Sequence, residues 1–136
     1  MTDLARFHDA QDGVYDRALA ELRAGSKRSH WMWFVFPQIA GLGLSETARR
    51  YAIRDLAEAR AYLADPVLGA RLRECAEALN TVEGRSAAQI MGHPDDLKLR
   101  SSMTLFAAAA DDPAPFRAVL ERYYGGEEDP ATLDRI

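Results

Sequence analysis

The sequence predicts an all-α fold in one domain of about seven to nine mostly short helices, and three observations lead there. Apolar residues recur near the 3.6-residue helical period in segment after segment, whereas no segment alternates as a half-buried strand would. Gly and Pro fall at intervals that suit short helices. No Pro/Gly/Ser-rich linker divides the 136 residues into parts that could each bury a core, so residues 1–136 read as a single domain.

Residues 3–24 read as helix, with Leu4, Phe7, Val14, Ala18 and Leu22 near the period; Asp12-Gly13 kinks or divides it and Gly25 stops it. Ser29 is then placed to cap a short helix through Trp31–Phe36. That run holds four of the twelve aromatic residues, including both tryptophans, and is apolar on every side, which implies burial all round. Pro37 ends it. A buried strand of that length would look the same, and the lack of any other strand-like segment selects helix. Gly41–Leu44 reads as a turn, and Ser45 caps a helix carrying Ala48, Tyr51, Ala52 and Ile53. Asp55 with Glu58 resembles a capping box opening LAEARAYLA. Pro66 starts a helix with Leu68, Leu72, Cys75, Ala76 and Leu79 on one face, stopped by Gly84. Ser86 caps a short turn through Met91, and Pro94 starts a helix through Leu97, Leu99, Met103, Leu105 and Phe106. Pro113 or Pro115 starts the last substantial one, with Phe116, Val119, Leu120 and Tyr123 inward, before Gly125-Gly126 and a final turn after Asp129-Pro130.

Composition narrows function. With 48% hydrophobic and 28% charged residues the chain is mixed as a compact globule is, and no apolar run approaches the ~20 residues of a membrane span. The start lacks the apolar core of a signal peptide, so the expectation is a cytoplasmic protein that neither enters nor binds a membrane. A net charge of −4 argues against nucleic acid as a partner. Of seventeen basic residues only Lys27 and Lys98 are lysine, each beside a distinctive segment where a guanidinium is no equivalent substitute. The single Cys75 can form no internal disulfide and reads as a buried small side chain. P-loop, Rossmann, H-E-x-x-H, C-x-x-C and G-x-S-x-G patterns are absent and the three histidines are scattered, so no metal and no cofactor are expected.

Two polar-rich segments remain. In the first, Lys27 can hold an anion, His30 can act as general acid or base, Trp31 and Trp33 can stack a planar ring, and Gln38 can orient it. Its structural alternative has His30 and Gln38 satisfying backbone groups around an aromatic plug. In the second, Lys98 and Ser102 lie one i,i+4 step apart on a helix, beside Ser101 and Thr104, with Asp95 or Asp96 at its start. Three hydroxyls in four residues are poor helix filling, which suggests ligand contact by Ser101 and Ser102; the alternative has them bonding to carbonyls one turn earlier.

Arg6-Phe7 with Ala10-Gln11 and Tyr15, Lys27-x-Ser-His-Trp-Met-Trp-Phe-Val-Phe-Pro-Gln38, Gly41-Leu-Gly43-x-Ser45, Tyr51-Ala52-Ile53, Pro66-x-Leu-Gly69 and Asp96-x-Lys98-x-x-Ser-Ser-Met-Thr-Leu-Phe106 resemble the bacterial DUF1810 family. These small proteins of unknown function are also called Rv1873-like and sometimes labelled calpastatin. The resemblance spans nearly the whole chain and implies one all-helical domain but no established activity. Asp65 departs from it, because the family usually has His before Pro-x-Leu-Gly. The calpastatin label does not suit this composition, since calpastatin repeats are disordered and polar. A looser likeness, in the order of the Lys/Trp, P-x-L-G and acidic-Lys segments, is to the YbiA-like (NADAR) proteins, linked to N-glycosidic or ADP-ribose chemistry.

The resulting expectation is a monomer that binds an anionic, ring-containing metabolite such as a nucleotide or ADP-ribose derivative between the two segments. Lys27, Trp31, Trp33, Gln38, Lys98, Ser101 and Ser102 would hold the ligand, and His30 and Asp96 would move protons if it is an enzyme. The competing expectation is a noncatalytic protein-interaction module whose distinctive residues specify its fold.

Overall fold

The computed structural model of the chain describes residues 3–136, and among them ten helices and no strand. In chain order they are α1 Ala5–Gln11, α2 Tyr15–Arg23, α3 Met32–Val35, α4 Glu46–Arg50, α5 Leu56–Ala64, α6 Leu68–Leu79, α7 Ala87–Met91, α8 Asp95–Ala109, α9 Ala114–Tyr124 and α10 Pro130–Leu133. The all-α expectation holds in one compact domain. Three more elements than the lower expected number arise because Asp12-Gly13 splits the first helix, with Gly13 at φ +74°, and because the α7 and α10 turns complete real helices.

Helix α8 is the hub. From Ser101 to Ala107 every residue is buried, and α5, α7, α9 and α10 pack around it while α6 bridges α2, α5 and α9. Start signals mostly act as read: Ser45, Asp55 and Asp129 accept from the backbone N–H three residues on, and Ser86 with Gln89 forms a full capping box. Three local expectations are corrected. Helix α6 ends at Leu79, with Asn80 as its C-cap, ahead of Gly84. Ser29 does not cap α3, because its hydroxyl donates to Glu21 instead. Ile53 does not continue α4, which ends at Arg50; it pairs with Ile39 in an isolated parallel bridge, its N–H donating to the Gln38 carbonyl at 2.8 Å and its carbonyl accepting from Ala40 at 2.8 Å.

The hydroxyls of α8 are spent inside the fold. Ser101 donates to Asp129 at 2.8 Å, the Asp129 N–H donates to Thr104 at 2.9 Å, and Asp129 in turn accepts from the Thr132 hydroxyl at 2.6 Å. Together they dock α10 on α8. Ser102 is wholly buried and its hydroxyl has no partner among the described residues. The two serines should therefore part on substitution. Ser101→Ala should cost about 1–3 kcal/mol by stripping a partner from a part-buried carboxylate, while Ser102→Ala should be neutral or stabilising in urea unfolding. Equal losses at both positions would contradict this assignment.

Candidate functional site

The Lys27–Gln38 segment is positioned by a residue that motif reading passed over. Glu21, in the last turn of α2, accepts from the Arg28 N–H at 2.8 Å, the Ser29 N–H at 3.0 Å, the Ser29 hydroxyl at 2.6 Å and the Trp31 indole N–H at 2.9 Å. A signal was present: an acidic side chain in the C-terminal turn of a helix opposes the macrodipole, so it needs another reason to be there. Desolvation, the largest single influence, pushes the Glu21 pKa up, but the hydrogen bonds from Ser29, Arg28 and Trp31 together outweigh it and bring it down to about 2. Because the folded value is depressed, the stabilisation is present above the ordinary pKa of 4.5 and is lost as pH falls through about 2. Glu21→Gln should thus flatten the acid-unfolding profile between those limits. A variant profile parallel to wild type would contradict that role.

The two lysines meet at one carboxylate. Lys27 Nζ lies 3.0 Å from Asp95 Oδ2 and Lys98 Nζ lies 3.7 Å from Asp95 Oδ1, with the Lys27 side chain only 8% exposed. Lys27 also donates to the Ser29 carbonyl at 2.7 Å and stands 5.0 Å from the Trp31 ring, while Lys98 stands 5.5 Å from the Trp33 ring. The acid that joins them is Asp95 rather than Asp96. On α8, Asp95 is three residues before Lys98 and so shares its face; Asp96 turns away to pair with His93 at 3.0 Å.

Beside this ion-pair cluster lies a narrow crevice. Trp33, Phe36 and Tyr51 form aromatic walls over a floor of Met32 and Ile39, Lys98 and Gln38 supply the polar lining, and Gly43 with Ala48 closes one side. Its enclosed space is about 10 Å³, room for one water molecule. Neither the Gln38 amide nor the Tyr51 hydroxyl makes a side-chain hydrogen bond among the described residues, and Lys98, besides standing over the Trp33 ring, makes only its long contact to Asp95. The crevice belongs to the basic part of an acidic chain: residues 27–54 hold five Lys and Arg and one Glu, a net +4 against −4 for the whole.

The remaining expected site residues fall elsewhere. Trp31 is wholly buried and bonded to Glu21, His30 is exposed and outside the crevice, and Ser101 and Ser102 are enclosed in α8 packing. Tyr51 was not singled out from the sequence as a site residue, although it stands in a segment that carried the resemblance. Burial pushes the Cys75 thiol up to about 12, which leaves it inert as a nucleophile.

An all-helical domain with an aromatic crevice and a lysine-bridged aspartate is the class this geometry defines. The family model described as "Protein of unknown function (DUF1810)" matches residues 1–136, and the chain belongs to that family. It is similar to the crystal structure of the conserved hypothetical protein Rv1873 from Mycobacterium tuberculosis, at 57% identity and a TM-score of 0.96, over 97% of this chain and 94% of that one. A comparison with curated proteins found no match.

Proposed function

We propose that the crevice binds a small anionic metabolite carrying a planar ring, such as a nucleotide or ADP-ribose derivative. The observation that carries this reading is the convergence of Lys98, Gln38 and Tyr51, polar groups with unspent hydrogen-bonding capacity, on the walls of one aromatic crevice. The ring stacks on Trp33, the Gln38 amide offers both a donor and an acceptor to its edge, and Lys98 meets the anion. The net +4 of residues 27–54 draws anions to this end of an acidic chain. Because ligand sites typically span ~300–1,000 Å³, the Gly41–Ser45 turn must swing outward on binding. Proton transfer is no part of the proposal, since His30 and Asp96 lie off the crevice.

Thermal-shift measurements with nucleotides, NAD-derived compounds and sugar phosphates test the reading, a ligand at a hundred times its Kd adding about 2.7 kcal/mol to stability. Lys98→Arg should abolish the shift while leaving the unliganded midpoint nearly unchanged, because the wider guanidinium keeps the charge but misplaces its donors. An undiminished shift in that variant would overturn the role of Lys98. A noncatalytic interaction module is the second reading, favoured by one observation: Asp95 already neutralises much of the lysine pair. Absence of any shift across the panel would favour it.

A further inference from the structure

The wall that must move is weakly held by itself. Between the Ala40 N–H, bonded to Ile53, and the start of α4, no backbone N–H of the Gly41–Ser45 turn donates a backbone hydrogen bond among the described residues. Leu44 at its tip is 74% exposed and contributes little burial, so the partly buried Leu42 is the turn's apolar anchor on the core. Such a segment sits at the low end of local stability unless something outside fixes it.

The group from outside that lies against it is the side chain of Arg135. Gly41 has φ +98°, and the Arg135 guanidinium fills the space beside it: a β-carbon at position 41 would lie 2.8 Å from Arg135 Nε. Arg135 is itself folded onto α10, donating to the Ala131 carbonyl at 3.0 Å. Helix α10 is in turn docked on α8 by the Ser101, Thr104 and Thr132 contacts to Asp129. A continuous run of contacts thus leads from the buried hydroxyls of α8, through Asp129 and Arg135, to the turn that closes the crevice at Gly43.

We propose that Arg135 is a positioning residue that straps the Gly41–Ser45 turn shut, so that the docking of α10 on α8 governs how readily the crevice opens. What enters rests on the metabolite-binding reading above; the strap itself does not. It gives the hydroxyl cluster of α8 a purpose that neither ligand contact nor helix propensity supplies.

Arg135→Ala leaves the core untouched, because Arg135 is exposed and its side-chain hydrogen bond is to the Ala131 carbonyl of the adjoining α10. In protein labelled with 5-fluorotryptophan, the Trp33 ¹⁹F signal of this variant should become about twofold or more accessible to a soluble paramagnetic quencher, and the Ala40 amide should exchange faster, while the buried Trp31 signal stays fixed. Asp129→Ala should act in the same direction without touching Arg135, and Arg135→Lys should restore part of the protection. Trp33 accessibility and Ala40 exchange equal to wild type in Arg135→Ala would overturn the strap, whatever binds. Titration with AMP, ADP-ribose and benzoate separates the two ideas: tighter binding of at least one of them by the opened variant supports both, whereas an opened crevice that takes up none of the three supports the strap and removes the metabolite reading.

Discussion

Trp31→Ala should lower stability by about 3–5 kcal/mol, a large part of the ~5–15 kcal/mol that holds a typical domain together. Trp31 is 0% exposed, packs at a tilt 6.2 Å from Phe36, and donates a hydrogen bond from its indole N–H to Glu21. Truncation leaves a cavity and removes one of the donors that keep Glu21 ionised in place. Trp33→Ala should cost much less, because Trp33 is only partly buried at the crevice wall. Urea unfolding followed by far-UV circular dichroism distinguishes them. Equal costs at the two positions would contradict the division of labour between a structural and a ligand-facing tryptophan.

Asp95→Ala should cost about 3 kcal/mol, since it leaves the nearly buried Lys27 ammonium without a counter-charge and beside a second cation. Lys98→Ala should cost under about 1 kcal/mol, because Lys98 is the more exposed partner and its removal leaves the closer Lys27–Asp95 pair intact. A double variant lacking both Asp95 and Lys98 should recover part of the loss, as the repulsion between the two ammonium groups disappears with Lys98. If Lys98→Ala proved as costly as Asp95→Ala, the lysine pair would be a single structural unit with no cation held ready for a ligand.

The fold was legible where local rules decide it. Ser45, Asp55, Ser86 and Asp129 are short-range caps whose partners lie three residues away, so sequence spacing reveals them. The aromatic run announced the burial of all its residues but Trp33, since no face of it offers water a polar surface; Trp33 is only partly buried. What spacing cannot reveal is which distant group answers a given polar side chain. Ser29 looked like a cap but is taken by Glu21, eight residues back; Ser101 looked like a ligand contact but is taken by Asp129, more than twenty residues on. The scarcity of lysine did identify two residues that meet in space, though the anion between them is the chain's own Asp95. The i,i+3 spacing from Asp95 to Lys98 puts Asp95, not Asp96, on the lysine's face of the helix. Tyr51 and Arg135 reach the crevice region only through the turn after α3 and the docking of α10, arrangements that belong to tertiary structure.

The central claim is that Lys98, Gln38 and Trp33 act together on a planar anion. It is tested most directly by titrating AMP, ADP-ribose and benzoate into ¹⁵N-labelled protein and following the Trp33 indole N–H, the Gln38 side-chain amide and the Gly41 and Gly43 backbone amides. At least one of the three should shift all four signals along one saturable curve, leaving the Trp31 indole N–H, held by Glu21, unmoved. All four signals standing still at millimolar concentrations of every ligand, or shifts confined to residues away from the crevice, would contradict it.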